Sequence, residues 1–260
     1  MVACIGEDAF GATARESLRA EGVNVDLFVT SQTPTGCAFI SVDARGENAI
    51  TVASGANGHL PATAIPDATL HPGTIAVLQM EVPFAASLAV ARRVRTVGGC
   101  VIWNFAPVPP DFTANQMTEM LATTNILVVN EHEALAAAAN GCDAARLART
   151  SDYEAAGRKL AEAGCTCIVT AGATGALAFH PGGRRSSAAA TPVEPVDTTG
   201  AGDTFVGILA AGLDAGDHFD VAIQRACHGA SLACLGVGAQ AAMPTRAMIG
   251  WTTFSSVTAP

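Results

Sequence analysis

The sequence lacks most of the features that announce a metal, a membrane or a nucleic-acid partner. Its six histidines are scattered, with no HExxH or HxH pattern. Its eight cysteines (Cys4, Cys37, Cys100, Cys142, Cys165, Cys167, Cys227 and Cys234) form no CxxC pair and show no zinc-ligand spacing with histidine. Most sit in apolar runs, where a thiol behaves as a small hydrophobe, so reduced thiols in a cytoplasmic protein are expected. No apolar run is long enough to span a bilayer. The opening MVACIGEDAF has no basic region and carries Glu7 and Asp8 early, unlike a secretory signal. There is no internal repeat. Charged residues make up only 14% of the chain and the net charge is −9. That acidic balance disfavours nucleic acid and anionic membrane as partners. It leaves room for a small phosphorylated ligand, whose site is built locally.

What is present is core-forming material. Half of the 260 residues are hydrophobic, as expected of sheet strands covered on both faces. Apolar runs at residues 2–5, 74–80, 100–105, 126–129 and 167–170 read as strands. They alternate with helical patterns near 11–21, 85–97, 116–122, 131–139 and 153–163. The alternation predicts an α/β fold with a mostly parallel central sheet flanked by helices. Ligands of such sheets bind at the carboxyl ends of the strands. Residues 37–43 and 49–53, around a turn at 44–48, read as a hairpin. It is either a small β lid over a site or an edge hairpin. A second hairpin is expected from 176–180 and 186–191 around Pro181-Gly182-Gly183-Arg184, and helices follow to about residue 235.

The strongest chemical signal is DTTGAGDTF at 197–205. Gly200, Ala201 and Gly202 precede a helix expected to start near Asp203. A helix amino terminus leaves backbone N–H groups unpaired at the positive end of the dipole. Glycines let that backbone approach an anion closely. The arrangement is an anion hole for a transferred phosphoryl group, and Asp203 beside it is placed to take a proton from an attacking hydroxyl. Read alone, GAGD is equally a Gly-rich turn with an ordinary acid at a helix start. No Gly-x-x-x-x-Gly-Lys-Ser/Thr string occurs, which excludes a Walker-type site.

DTTGAGDTF closely resembles the carboxyl-terminal signature of the ribokinase family of carbohydrate kinases, and the resemblance covers essentially the whole chain. IGEDAFG (5–11), PTG (34–36), GENAI (46–50), GANGHL (55–60), Glu81 in LQMEVP, Asn104 in NFAP, VVNEHEA (128–134), VTAGATGA (169–176) and GAQ (238–240) all look like that family. The resemblance implies a ribokinase-like α/β domain over 1–260, with a lid hairpin at about 29–54. It implies ATP-dependent transfer of a phosphoryl group to a sugar hydroxyl, D-ribose to D-ribose 5-phosphate first. A fructokinase-like or nucleoside kinase, or a catalytically impaired sugar- or nucleotide-binding protein, is the alternative.

By resemblance, Asp203 is the base and the amides of Gly200, Ala201 and Gly202 form the anion hole. Asn130 and Glu133 match the NxxE motif that organises Mg²⁺ and the phosphates, through water. The same two residues also fit a helix N-cap with an acid in the first turn. Thr170, Gly172 and Gly175 match nucleotide-loop positions, with Cys227 against the adenine. A dinucleotide fingerprint there would require a helix next, whereas 176–180 reads as a strand. Glu81, with Asp203, is expected to contact the sugar. Asp197, Thr199, Ala233, Gly236 and Gly238 match a monovalent-cation (K⁺) site. Ala242 departs from the serine many relatives carry. A homodimer through the lid is a further expectation. Family members also open with an aspartate-bearing strand and a GGKGAN-like loop, neither of which this sequence matches. The chain is therefore expected to be N-terminally incomplete and a weak catalyst.

Overall fold

The structure is a computed structural model describing residues 1–42, 48–141 and 152–250. Cys142 and the turn of the first hairpin lie outside them. The chain divides into two compact units, one holding Met1–Val101 and Phe105–Pro110, the other Ile102–Asn104 and Asp111–Pro260.

The first unit opens with β1 (Cys4–Gly6), α1 (Ala9–Ala20) and β2 (Val29–Ser31), and β1 pairs with β2 in parallel. Three-residue β2 carries too little pattern to be read from sequence. It takes residues 29–31, expected in the lid, into pairing with β1 instead. Asp8 explains why IGEDAFG and PTG occur together. As N-cap of α1 its carboxylate accepts the Gly11 N–H at 2.8 Å. It also accepts the Thr35 N–H and hydroxyl, each at 2.7 Å. The Gly6 N–H donates to Thr35 Oγ1 at 2.9 Å. These bonds to Gly11 and Thr35 hold the Asp8 carboxyl below its usual range. The hairpin follows as β3 (Cys37–Val42) and β4 (Asn48–Ala53), antiparallel with Cys37 opposite Ala53. Asn48, assigned to the turn by its sequence, is the first residue of β4. After β5 (Ile75–Leu78) comes α2 (Phe84–Thr96). Its Arg93 binds the carbonyls of Ala62 and Ile65 and the Asp67 carboxylate, fastening the preceding loop.

β6 (Cys100–Asn104), whose last three residues belong to the second unit, is followed side by side by that unit's β7 (Ile126–Asn130), β8 (Thr166–Thr170), β9 (Ala176–Phe179) and β10 (Arg185–Ala188), in that order. β6, β7 and β8 are parallel, and β9 and β10 continue the sheet antiparallel. The helices are α3 (Ala114–Thr123), α4 (Glu131–Gly141), α5 (Tyr153–Ala161), α6 (Ala201–Asp214) and α7 (Phe219–Ala233). Trp103, Leu127, Ile168 and Val169 are fully buried, as unbroken apolar strands require when both faces are covered. β10 stops at Ala188 where the sequence suggests a strand to 191. The Thr191 N–H leaves the ladder for the Ser231 hydroxyl at 3.1 Å, and Pro192 cannot donate to a sheet.

Candidate active site

The site grows from three turns of the second unit. At the first, β7 runs directly into α4. The Asn130 side-chain oxygen accepts the Glu133 N–H at 2.8 Å, and the Glu133 carboxylate accepts the Asn130 N–H at 2.7 Å. This reciprocal cap satisfies two donors of the helix start. Burial raises the Glu133 carboxyl, and the Asn130 amide and the neighbouring His132 pull against that rise. NxxE therefore has a structural duty here, and one Glu133 oxygen remains outside the cap.

At the second turn β8 passes into β9. Thr170 sits opposite Asn130 in the ladder and donates its hydroxyl to the Val129 carbonyl at 3.3 Å. The loop closes through the Ala171 N–H on the Gly175 carbonyl at 2.7 Å. Gly175 has φ of 102°, and a Cβ there would lie 2.0 Å from the Ala188 carbonyl, so the fold itself demands glycine. The next element is the antiparallel strand β9, which removes the dinucleotide-fingerprint alternative.

The third turn is DTTGAGDTF. The Asp197 carboxylate accepts the Thr199 N–H and, with its other oxygen, the Gly238 N–H, both at 2.9 Å. Hydrogen bonds from Thr199, then Gly238, hold this carboxyl below its usual range. The Cys234 carbonyl accepts N–H groups from Val196 and Asp197. The segment around Asp197 is thus tied to the end of α7. Of the five expected cation ligands, Asp197, Thr199 and Gly238 are brought together directly. Ala233 is the buried last residue of α7, and Gly236 lies in the loop after it.

Gly200, at φ 76° and ψ 2°, has the geometry of the third residue of a type II turn. The Ala201 N–H closes that turn on the Thr198 carbonyl at 3.2 Å. Two sequence expectations change. Helix α6 begins at Ala201, two residues early, which makes Asp203 its third residue. The Ala201 amide, expected to be a free member of the anion hole, already has a partner. The helix-start amides of Gly202 and Asp203 have none among the described residues. The Asp203 carboxylate accepts no hydrogen bond there either. Its side chain is open to solvent, while the protein packed around it raises its carboxyl above the usual range.

These turns enclose a cavity of about 640 Å³, within the usual range for small-molecule sites. Asn130, Thr170, Gly172, Gly175, Ala201, Gly202 and Cys227 all line it. Glu133, Gly200 and Asp203 stand on the same turns without lining it. Glu81 belongs to the first unit, just beyond β5, and its N–H is bonded to the Gln79 side chain. Sequence reasoning missed His132, Thr198 and the wall formed by Thr191, Pro192, Ser231 and Cys234. The two prolines of TPVEP, just ahead of the signature, were the available signal for a non-strand segment there. No helix among the described residues is long and apolar enough to cross a membrane.

A cavity at the carboxyl ends of parallel strands, with a helix amino end beneath it and a carboxylate in that helix's first turn, suits a nucleotide and the transfer of its terminal phosphoryl group. The class so defined is the α/β phosphotransferase. Comparison with known proteins makes the assignment particular: the chain belongs to the pfkB family of carbohydrate kinases, whose model matches residues 1–246. It is 30% identical to the ribokinase of Schizosaccharomyces pombe over 94% of this chain and 76% of that protein. The ribokinase of Thermotoga maritima superimposes with a TM-score of 0.84 at 30% identity, covering 96% of this chain and 79% of that one. The Arabidopsis thaliana ribokinase, solved with ribose and ATP, has a TM-score of 0.78 at 27% identity, covering 95% and 79%.

Proposed function

We propose that the protein is an ATP-dependent kinase that phosphorylates the primary hydroxyl of D-ribose, giving D-ribose 5-phosphate. The observation that carries this reading is Asp203: a carboxylate without a hydrogen-bond partner among the described residues, raised by its surroundings, in the first turn of the helix whose amino end opens on the cavity. Asp203 takes the proton from the sugar hydroxyl as it attacks. The amides of Gly202 and its neighbours Gly200 and Ala201 receive the negative charge of the moving phosphoryl group. For Ala201 this means exchanging its bond to Thr198. Thr170, Gly172 and Gly175 border the phosphate chain, and Cys227 backs the base. Glu81 contributes a sugar contact.

The residues fit a magnesium ion held through water. The described residues contain no cluster of three or more His, Cys, Asp or Glu side chains suited to a directly bound metal. Glu133, with one oxygen outside its cap, and Asn130 can order the ion's water shell, as Mg²⁺ prefers. When bound, the ion neutralises phosphate charge. A potassium ion fits against Asp197 and the carbonyls of Thr199, Ala233, Gly236 and Gly238, where the Asp197 bridge holds the two backbone stretches together. Pairing of two copies through the lid is part of the same reading, and it would bury one face of the hairpin only, since the exposed Phe39 and Val52 lie on opposite faces.

The test is ADP release from MgATP with D-ribose, D-fructose, 2-deoxyribose and adenosine as acceptors. Ribose should give the highest kcat/KM. A higher value with another acceptor would reassign the substrate. ATP binding with no turnover on any acceptor would show a binding protein instead.

A further inference from the structure

The two walls of the cavity differ in what their polar atoms are doing. On the α7 wall the polar side chains that line the cavity, Thr191, Cys227, Ser231 and Cys234, are all engaged within the protein. Thr191 Oγ1 and His228 Nδ1 are hydrogen-bonded at 2.8 Å. The Ser231 hydroxyl accepts the Thr191 N–H and donates to the Cys227 carbonyl at 2.9 Å. The Cys227 thiol donates to the Ala188 carbonyl at 3.6 Å. That wall presents mainly carbon to a ligand, which suits a base. The polyphosphate then belongs at the opposite side, against the amino end of α6 and the β7–α4 turn, where helix N–H groups favour anions.

Among the described residues, no lysine or arginine lines the cavity. A polyphosphate anion taken out of water needs donors; besides the N–H groups at the start of α6, the lining offers the uncharged side chains of Asn130, Thr170 and Thr198. The β7–α4 turn offers one more. His132, in the first turn of α4, lines the cavity and is exposed, and its ring makes no hydrogen bond within the described protein. Its sequence neighbour Glu131 also lines the cavity. Two carboxylates flank His132 in sequence: Glu131 makes no hydrogen bond to the ring among the described residues, and Glu133, which the ring acts on through its charge, spends an oxygen on the Asn130 N–H. An imidazole carries at least one N–H in either tautomer and needs no proton change to donate it.

We infer that His132 is a phosphate-binding residue, donating a ring N–H to the polyphosphate of the bound nucleotide. The inference rests on the nucleotide-binding reading above. It goes beyond that reading in giving the cavity a side-chain donor from between Asn130 and Glu133.

Isothermal titration of ATP, ADP, AMP and adenosine into the wild-type chain, His132→Ala and His132→Gln separates the possibilities. A contact to the outer phosphates predicts that His132→Ala weakens ATP and ADP by roughly ten-fold or more. AMP and adenosine should change by less than about two-fold on the same grounds. Glutamine, which keeps an N–H of similar reach, should recover part of the loss. Unaltered thermal unfolding is expected, because the side chain is exposed. Equal weakening of all four ligands, or no weakening of ATP, overturns the inference while leaving the nucleotide site in place. Failure of the wild-type chain to bind ATP would instead remove the reading on which it rests.

Discussion

Substituting alanine at the two glycines flanking Ala201 should separate the fold from the chemistry, because the structure assigns them opposite requirements. At Gly200 the backbone is left-handed (φ 76°), and an added Cβ would lie 2.9 Å from the Ala239 carbonyl oxygen and 3.0 Å from its Cα. A left-handed alanine costs roughly 1–2 kcal/mol before any clash is relieved. At about 2–4 °C per kcal/mol for a domain near this size, Gly200→Ala should melt about 2–8 °C lower. At Gly202 an added Cβ meets no protein atom within 4 Å. The residue is the second of α6, where alanine is favoured over glycine by up to about 1 kcal/mol. Gly202→Ala should therefore melt at or above the wild-type temperature. Yet Gly202 lines the cavity, so the new methyl group takes space where phosphoryl oxygens must come within hydrogen-bonding distance of the amides. Losing such contacts typically costs about 10²–10³ in kcat. Differential scanning fluorimetry paired with an ADP-release assay reads both quantities. A Gly202→Ala protein that is less stable than wild type, or that keeps full turnover, would refute the reasoning.

Three further outcomes rest on the same geometry. Glu133→Gln keeps the cap but loses the charge, so the Mg²⁺ concentration for half-maximal rate should rise; an unchanged magnesium titration with a lowered Tm would reduce Glu133 to a capping residue. Turnover should be faster in K⁺ than in Na⁺ at matched ionic strength, and equal rates would remove the cation site at Asp197. Because Asp203 must be ionised to accept a proton and its carboxyl is raised by the protein packed around it, kcat should fall as pH drops through a value above the ordinary aspartate range of roughly 3.9. A rate that stays flat down to that range would contradict the assignment.

The long apolar runs made the sheet legible. Residues 126–129 and 167–170 have no polar face to confuse the period, and both became central strands. Short β2 was not legible, because three residues carry no periodicity and its pairing depends on β1, over twenty residues away in the chain. Nor was the end of β10, where a side chain on α7 captures the Thr191 N–H. In the site, the strings of chemistry-bearing residues could be read, but their hydrogen bonds could not. The partner of the Ala201 amide depends on a turn closed by Thr198. The cap at Asn130 and Glu133, one of the two readings the sequence offered, becomes visible as a reciprocal pair of bonds where β7 enters α4 without a loop. His132 drew no notice because an isolated histidine in a helical stretch has no pattern of its own. Its place on the cavity wall is a property of the fold.

Phosphoryl transfer here turns on Asp203, and its most direct test is the turnover of Asp203→Asn with D-ribose and MgATP, measured beside its affinity for ATP. Asparagine preserves shape and removes the base. The predicted result is a kcat lower by roughly 10²–10⁴ with ATP binding retained. Near-normal turnover by the variant would show that Asp203 is not the base.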